Sequence, residues 1–268
     1  MGTLWLKSTG YGVSRLVLSH KILSMEQAQI QRDILEYDVA IIGGGPAGLA
    51  AAIRFRQLDT ENQHSICVVE KSAQLGGHNL AGAVMEPRAL DELMPDWREK
   101  VSFPLQEATE DKFMMYGAKK APRLPPPPQM HNKGNYIISL AMLCRFLGEQ
   151  AEAMNIDVLP GFAAQEALVE NNQVVGVRTG DFGVGKDGQP TDGFVPGPDL
   201  KAKVTIFSEG CRGHITKSLK DTFKLDEGRD PQTYALGMKE IWRVKAENHK
   251  PGYVEHTIGW PLDSKTYG

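Results

Sequence analysis

Apolar residues follow three rhythms along this 268-residue chain. Tyr37 to Ile42 and Ser65 to Val69 are short, nearly continuous apolar runs, as expected of strands buried on both faces of a parallel sheet. Between them Leu49 to Leu58 has helix-forming composition and no breaker, so Tyr37 to Glu70 reads as a βαβ unit. Leu140, Leu143, Leu147, Ala151 and Met154 recur at helical spacing and predict an amphipathic helix over Ser139 to Asn155, with Ser139 as its cap. Val158 to Leu159, Glu166 to Val169 and Val174 to Thr179 read as strands, the last two joined by an Asn171-Asn172 turn. Lys203 to Phe207 is a further buried strand, and a short helix is expected from about His214. Tyr234 to Val244 alternates, with Tyr234, Leu236, Met238 and Trp242 on one face, which suits a strand in the sheet of a second domain. Residues 71 to 138 read as largely irregular, with helix around Ala89 to Leu93, and the Gly- and Pro-rich stretch 180 to 199 reads as a loop. No internal repeat is present.

The junction of the first strand and helix carries the chemistry. Gly43, Gly45 and Gly48 stand in G-x-G-x-x-G spacing, with Pro46 and Ala47 between the last two. The first glycine permits a tight turn, the second lets backbone approach a pyrophosphate, and the third packs helix on strand. The helix N-terminus adds free N–H groups and a positive dipole end. The second strand ends in Glu70, about 20 residues beyond the last glycine, where an acid binds a ribose hydroxyl. Motif and acid together leave NAD and FAD open. Two further features favour FAD. Glu70-Lys71 and the Gly76-Gly77-His78 turn resemble a loop common in flavoproteins with two dinucleotide-binding domains. Those proteins also return late to the same sheet with a strand and glycine signal, as Lys203 to Phe207 and Ser208-Glu209-Gly210-Cys211-Arg212-Gly213 do here.

Composition narrows the class. An apolar fraction of 41%, a charged fraction of 24% and a net charge of −3 describe a globular protein with no electrostatic reason to bind nucleic acid. No run reaches the roughly 20 apolar residues of a membrane span. Cys67, Cys144 and Cys211 are scattered, with no C-x-x-C, so the chain by itself offers neither a zinc nor an iron–sulfur ligand set. The seven histidines show no metal-ligand spacing, and no nucleophile–base constellation is legible. That fits redox chemistry carried by a cofactor. The first 24 residues hold Lys7, Arg15 and Lys21 and no acid. They suit either a mitochondrial transit peptide or an extension upstream of a true start at Met25. Pro125 to Pro128 follows Phe113 to Tyr116 and the bases Lys119, Lys120 and Arg123. On residues alone it reads as a rigid connector, with a membrane-surface loop as the alternative.

From roughly Glu36 onward the chain resembles the electron transfer flavoprotein–ubiquinone oxidoreductase family. The resemblance rests on Asp38 to Gly48, Val69 to His78, Gly82-Ala83-Val84, Pro95-Asp96-Trp97, Gly134-Asn135-Tyr136, Gly148 to Ala153 and Pro160-Gly161-Phe162. It continues through Ala202 to Gly210, Gly213-His214, Pro231 to Tyr234, Lys239-Glu240 and His256 to Asp263. The first segment is generic to flavoproteins; Gly259-Trp260-Pro261-Leu262-Asp263 and Thr266-Tyr267-Gly268 are specific to the family.

The resemblance implies an α/β fold, an FAD-binding Rossmann-like domain of the glutathione-reductase-like kind followed by the start of a β-rich quinone domain. It implies FAD, held by Gly43, Gly45, Pro46, Ala47, Gly48, Glu70, Lys71, Gly77, His78, Glu209, Gly210 and Gly213, and quinone at Tyr267 and Gly268. It also implies a 4Fe-4S cluster whose ligands lie outside this chain, electron transfer flavoprotein as donor and ubiquinone as acceptor. A peripheral seat is implied on the mitochondrial inner membrane (matrix side) or the bacterial inner membrane (cytoplasmic side). The Phe113 to Met130 stretch falls on the family's membrane- and quinone-facing surface, which reverses the connector reading. The expected organisation is an extension at 1–35, FAD-binding parts at 36–110 and 139–225, the membrane-facing region at 111–138, and the start of the quinone domain at 226–268. The chain has about half the family's length. Another FAD enzyme of the same architecture, of the geranylgeranyl reductase or aromatic hydroxylase type, or a truncated module without activity, are the alternatives.

Overall fold

A computed structural model describes residues 31–79, 82–263 and 266–268; the basic N-terminal stretch lies outside them. In chain order the strands are β1 (Ile34–Ile42), β2 (Ile66–Glu70), β3 (Ala83–Met85), β4 (Gln106–Glu107), β5 (Glu110–Tyr116), β6 (Arg123–Leu124) and β7 (Tyr136–Ile138). They continue as β8 (Asp157–Pro160), β9 (Ala164–Glu170), β10 (Gln173–Thr179), β11 (Phe182–Val184), β12 (Pro190–Val195), β13 (Asp199–Phe207) and β14 (Tyr253–Gly259). The α-helices are α1 (Pro46–Leu58), α2 (Arg88–Leu93), α3 (Trp97–Lys100), α4 (Leu140–Ala153) and α5 (His214–Phe223). By contacts the chain divides into two units, 34–180 with 197–268, and the residues up to 33 with 181–196.

The first unit is built on a six-stranded sheet of order β8-β2-β1-β13-β10-β9. β2, β8 and β13 run parallel to β1, while β10 and β9 are antiparallel additions. The apolar runs make both faces. Val39 and Ile41 of β1 and Ile66 and Val68 of β2 pack under Leu49, Ala52 and Ile53 of α1 and Leu143, Phe146, Leu147 and Ala151 of α4. On the other face Ala40, Ile42, Cys67 and Val69 meet Val177, Leu200 and, from α5, Ile215 and Leu219. Each Val, Leu, Ile or Phe among them contributes about 1.5–3 kcal/mol relative to exposure, which is why the βαβ pattern is decisive. Ser139 caps α4 as expected, its hydroxyl accepting from the Met142 amide at 3.4 Å. Asn171 and Asn172 take φ 49° and 62°, the left-handed pair that a two-residue hairpin requires.

Three expectations fail. Residues 71–138 are not largely irregular, because β5 forms a three-stranded sheet with β14 and β6, and β7 joins β3 and β4 in another. β5 and β14 pair in parallel from Tyr253 with Glu110 to Gly259 with Tyr116. Their partners lie so far apart in sequence that local pattern does not show the pairing. In the second unit, part of the stretch read as a loop is a hairpin. Phe182 pairs with Val195 and Val184 with Pro190, and Gly183 and Gly188 take positive φ in it. Here the glycines serve a bulged, tightly turned ribbon rather than a loop. In the same unit Arg32 pairs with Asp181 at 2.6 Å. The third failure is Tyr234 to Val244, which forms no strand. Its alternation is genuine, but no described strand pairs with it.

Candidate functional site

The glycine turn sits at the carboxyl end of β1, between two neighbouring strands. The Gly43 amide donates to Val69 O at 2.8 Å, and the Ser208 amide donates to Ile42 O at 2.8 Å. The glycines are required for different reasons. Gly43 has φ +114°, and a Cβ there would lie 2.3 Å from Ser208 O. A Cβ at Gly48 would lie 2.0 Å from Gly43 O, so this glycine joins helix to turn. Gly44, which sequence reasoning passed over, is closed by Leu75 at 2.6 Å. Gly45 is the exception. Its backbone is extended (φ −82°, ψ 179°), and an added Cβ would meet nothing within 4 Å. Nothing in the chain itself requires glycine there, and the open space is what a closely approaching phosphate needs.

Gly45 is also the N-cap of α1, with Pro46 next, no capping side chain and no acid in the first turn. The first intrahelical bond runs from Leu49 to Gly45 O at 3.0 Å, so the amides of Ala47 and Gly48 precede the ladder. The positive end of the helix is therefore unneutralised by its own residues.

Glu70 closes the other side. Its carboxylate accepts from the Gly44 amide at 3.0 Å and the Ser72 amide at 2.7 Å, with the side chain 13% exposed. This fixes the acid beside the turn, each oxygen keeping lone-pair capacity for a ribose hydroxyl. Burial, and then the Glu70 charge, push the Cys144 thiol up to about 11, leaving it an inert core group. Cys67 is likewise pushed to about 12, first by burial and then by Asp157.

The remaining expected residues divide by what they touch. Lys71 is exposed, and His78 is exposed with Nδ1 4.0 Å from Glu70 Oε1. A Cβ at Gly77 would lie 2.2 Å from Ser72 Oγ, and one at Gly76 2.4 Å from Ala141 O. The two glycines seat the loop on the protein itself. Arg145, not read from the sequence, donates from Nε to Leu75 O at 3.3 Å and holds the same loop. Glu209 is occupied by the fold. It accepts from the amides of Ile215 (3.0 Å) and Thr216 (2.8 Å) and from the Thr216 hydroxyl (2.6 Å), capping α5 from upstream. Burial alone would raise its carboxyl, but the Thr216 and Ile215 hydrogen bonds win and hold it below the usual range. Gly213 is the N-cap of α5, and Gly210 takes φ +80° in the turn before it.

Tyr267 and Gly268 belong to the β14 sheet. Gly268 exchanges two main-chain hydrogen bonds with Thr257, at 2.6 and 2.9 Å, and Tyr267 bridges Ile258. Ile258 is in register with Met115 of β5, so Met115, Ile258 and Tyr267 form a row, and Trp260 donates to Tyr116 O at 2.9 Å. Met115, Trp260, Leu262 and Tyr267 are all exposed. On the other face of β14, Glu255 accepts from the hydroxyls of Tyr116 (2.8 Å) and Tyr253. Tyr253, then Tyr116, Lys112 and Lys250, hold Glu255 below the usual carboxylate range against its partial burial. A separate open groove lined by Asp38, Ser65, Glu170 and Lys203 lies at the opposite ends of the sheet strands, where Lys203 pairs with Asp38 at 2.6 Å. Among the described residues no helix is long and apolar enough to cross a membrane, and no three His, Cys, Asp or Glu side chains could together hold a metal ion.

Sheet order, turn and acid define a Rossmann-like fold of the FAD-binding type. A family model described as pyridine nucleotide-disulphide oxidoreductase matches residues 37–126, and one described as ETF-QO, ubiquinone-binding matches 234–268. Among solved structures, a geranylgeranyl bacteriochlorophyll reductase-like protein from Thermoplasma acidophilum superposes with TM-score 0.52 at 17% identity, over 85% of this chain and 51% of that one; it shows the fold alone. Within the class, the chain belongs with the electron transfer flavoprotein–ubiquinone oxidoreductases, as a fragment-length member. It is 49% identical over 248 residues to the Pseudomonas aeruginosa enzyme, covering 89% of this chain and 45% of that protein. It is 47% identical over 249 residues to the mitochondrial enzyme of Homo sapiens, covering 91% and 40%. The chain thus spans less than half the length of the curated relatives it matches.

Proposed function

We propose that this chain supplies the FAD-binding and part of the quinone-binding apparatus of an enzyme that takes electrons from reduced electron transfer flavoprotein and delivers them to ubiquinone. The open space at Gly45 carries this reading. It is the one glycine of the motif that the protein does not itself need, and it lies at the uncapped start of α1. FAD, when bound, supplies the redox chemistry. The chain's residues bind and orient it: the Ala47 and Gly48 amides face the pyrophosphate, Glu70 accepts from a ribose hydroxyl, and Gly77, His78, Gly210 and Gly213 border the same loops. The described residues do not fit a 4Fe-4S cluster. Cys67 and Cys144 are buried on β2 and α4, Cys211 is exposed in a turn, and no step here involves the cluster.

For the quinone, Tyr267 and Gly268 offer a ring face and main-chain groups on a short sheet. The exposed row of Met115, Trp260, Leu262 and Tyr267, with Lys119, Lys120 and Arg123 nearby in sequence, supports a peripheral seat on an anionic membrane surface. Such a seat is compatible with the matrix face of the mitochondrial inner membrane or the cytoplasmic face of a bacterial one.

The test is direct binding. Purified chain mixed with FAD should quench flavin fluorescence saturably, and Gly45→Val should abolish the quenching while circular dichroism stays unchanged. Saturable binding of a nicotinamide dinucleotide with none of FAD would overturn the reading.

A further inference from the structure

Gly148 is out of place by the ordinary rules of a helix. It is buried in the interior of α4, where glycine holds a helix less well than alanine does. Its neighbour gives the reason. A Cβ at Gly148 would lie 2.0 Å from Leu75 Cδ1, so the glycine is the gap that admits this leucine. The other methyl of the same side chain closes Gly44, where a Cβ would lie 2.6 Å from Leu75 Cδ2. One side chain therefore stands between α4 and the turn that follows β1.

The loop that carries Leu75 is keyed to the same stripe of α4. The Leu75 carbonyl accepts from Arg145 Nε at 3.3 Å, and Gly76 passes so near Ala141 that a Cβ there would lie 2.4 Å from Ala141 O. Positions 141, 145 and 148 recur at the spacing of one helix face. What this key controls is the Gly44 amide. It donates to Glu70 Oε2 at 3.0 Å, while the Ser72 amide donates to Oε1 at 2.7 Å. The Cβ position of Gly44 also lies 3.0 Å from Glu70 Cβ, so Leu75 and Glu70 press on one residue, and Gly45 is the next in the chain.

We propose that Leu75 is a positioning residue for flavin binding, a wedge admitted by Gly148 that sets the Gly44 amide against Glu70. It fixes the Gly45 turn and the ribose-binding acid in one geometry, acting through Gly44 and Glu70 and not as a ligand. A methyl on Gly148 cannot share the space with Leu75. The leucine must then press on the Gly44 backbone or swing out and leave Gly44 uncovered, and close packing passes either change to the Gly44–Glu70 bond. The consequence for FAD rests on the proposed function; the wedge itself does not.

The experiment joins FAD titration to amide exchange, followed by NMR, in the flavin-free chain. Helix propensity alone says that Gly148→Ala should strengthen α4. The wedge says that it should weaken FAD binding about tenfold and speed exchange of the Gly44 and Ser72 amides about fivefold, with the amides of β2 unchanged. Leu75→Ala should weaken binding by a similar factor. The double variant should bind no more weakly than either single one, because the added methyl has nothing left to displace. Arg145→Met, on an exposed position of α4, removes the bond to Leu75 O and should weaken FAD binding about threefold. With Leu75→Ala it decides the matter should Gly148→Ala not fold, since unchanged Gly44 exchange in both would overturn the proposal. Unchanged Gly44 exchange in a folded Gly148→Ala would also overturn it. So would faster exchange with undiminished FAD binding, or losses that add in the double variant. A wild-type chain that binds no FAD would count against the proposed function alone, and Gly44 exchange in the same variants would still decide the wedge.

Discussion

Trp97 lies in a stretch whose sequence reads as largely irregular and Trp242 in one that reads as a strand, yet the fold buries the first and leaves the second bare. Trp97 is fully buried, with its indole N–H donating to Asp91 at 2.8 Å and its ring edge-on to Tyr136 at 5.8 Å. Arg98 stacks 4.6 Å over it and pairs with Asp91. Trp242 is 77% exposed, and its indole finds only Glu240, two residues away, at 2.9 Å. The difference is not in the residue but in what the described residues place beside it. Around Trp97 they supply helix, strand and counter-charge. Around Trp242 they supply an alternating segment that forms no strand and has no described strand beside it.

The largest effect should separate these two tryptophans. Trp97→Ala should cost about 3–5 kcal/mol in urea unfolding, and Trp242→Ala less than about 0.5 kcal/mol in the isolated chain. Equal losses would mean that 234–244 already packs against the body. Gly43→Val combines left-handed strain with a clash on Ser208 and should cost on the order of 4 kcal/mol. Gly45→Val, two residues on, should cost only about 0.5–1 kcal/mol, the loss of glycine at the N-cap of α1, because nothing surrounds its Cβ.

A smaller effect belongs to Glu209, whose cap on α5 should contribute about 1 kcal/mol, read as the loss in Glu209→Ala. The pH dependence has a definite sign. The folded carboxyl lies below its ordinary value, so its contribution is present above about pH 4.3 and fades as pH falls through the folded value. The stability gap between wild type and Glu209→Ala should therefore close in acid. The Tyr253–Glu255 contact acts at the other limb. Tyr253 is raised to about 12, first by the hydrogen bond to Glu255 and then by burial, so its contribution is full below about pH 10 and is lost as pH rises towards 12. Tyr253→Phe should flatten the alkaline limb of the stability profile and also weaken the acid limb, because the Tyr253 hydroxyl is the first cause of the lowered Glu255 carboxyl.

How much was legible depended on how local each signal was. The βαβ unit, the Ser139 cap, the Asn171-Asn172 turn and the return of β13 beside β1 are each written in neighbouring residues or in one apolar run, and the structure has all of them. The β5–β14 pairing joins segments far apart in sequence, and the hairpin at 182–195 was hidden by glycines that its own bulge and turn use. At the site, spacing located the glycine turn but did not say which glycine serves a ligand. Gly43 and Gly48 answer to Ser208 and to the turn itself, and Gly45 alone answers to nothing inside the protein. Glu209 is expected at the flavin through the family resemblance; that its oxygens also cap α5 is visible only in the fold.

The most direct test of the account is a fluorescence titration of FAD against the wild-type chain and Gly45→Val, run beside their urea unfolding curves. The account predicts saturable quenching by wild type, none by Gly45→Val, and unfolding curves that differ by no more than about 1 kcal/mol. Undiminished FAD binding by Gly45→Val, with its fold intact, would contradict it.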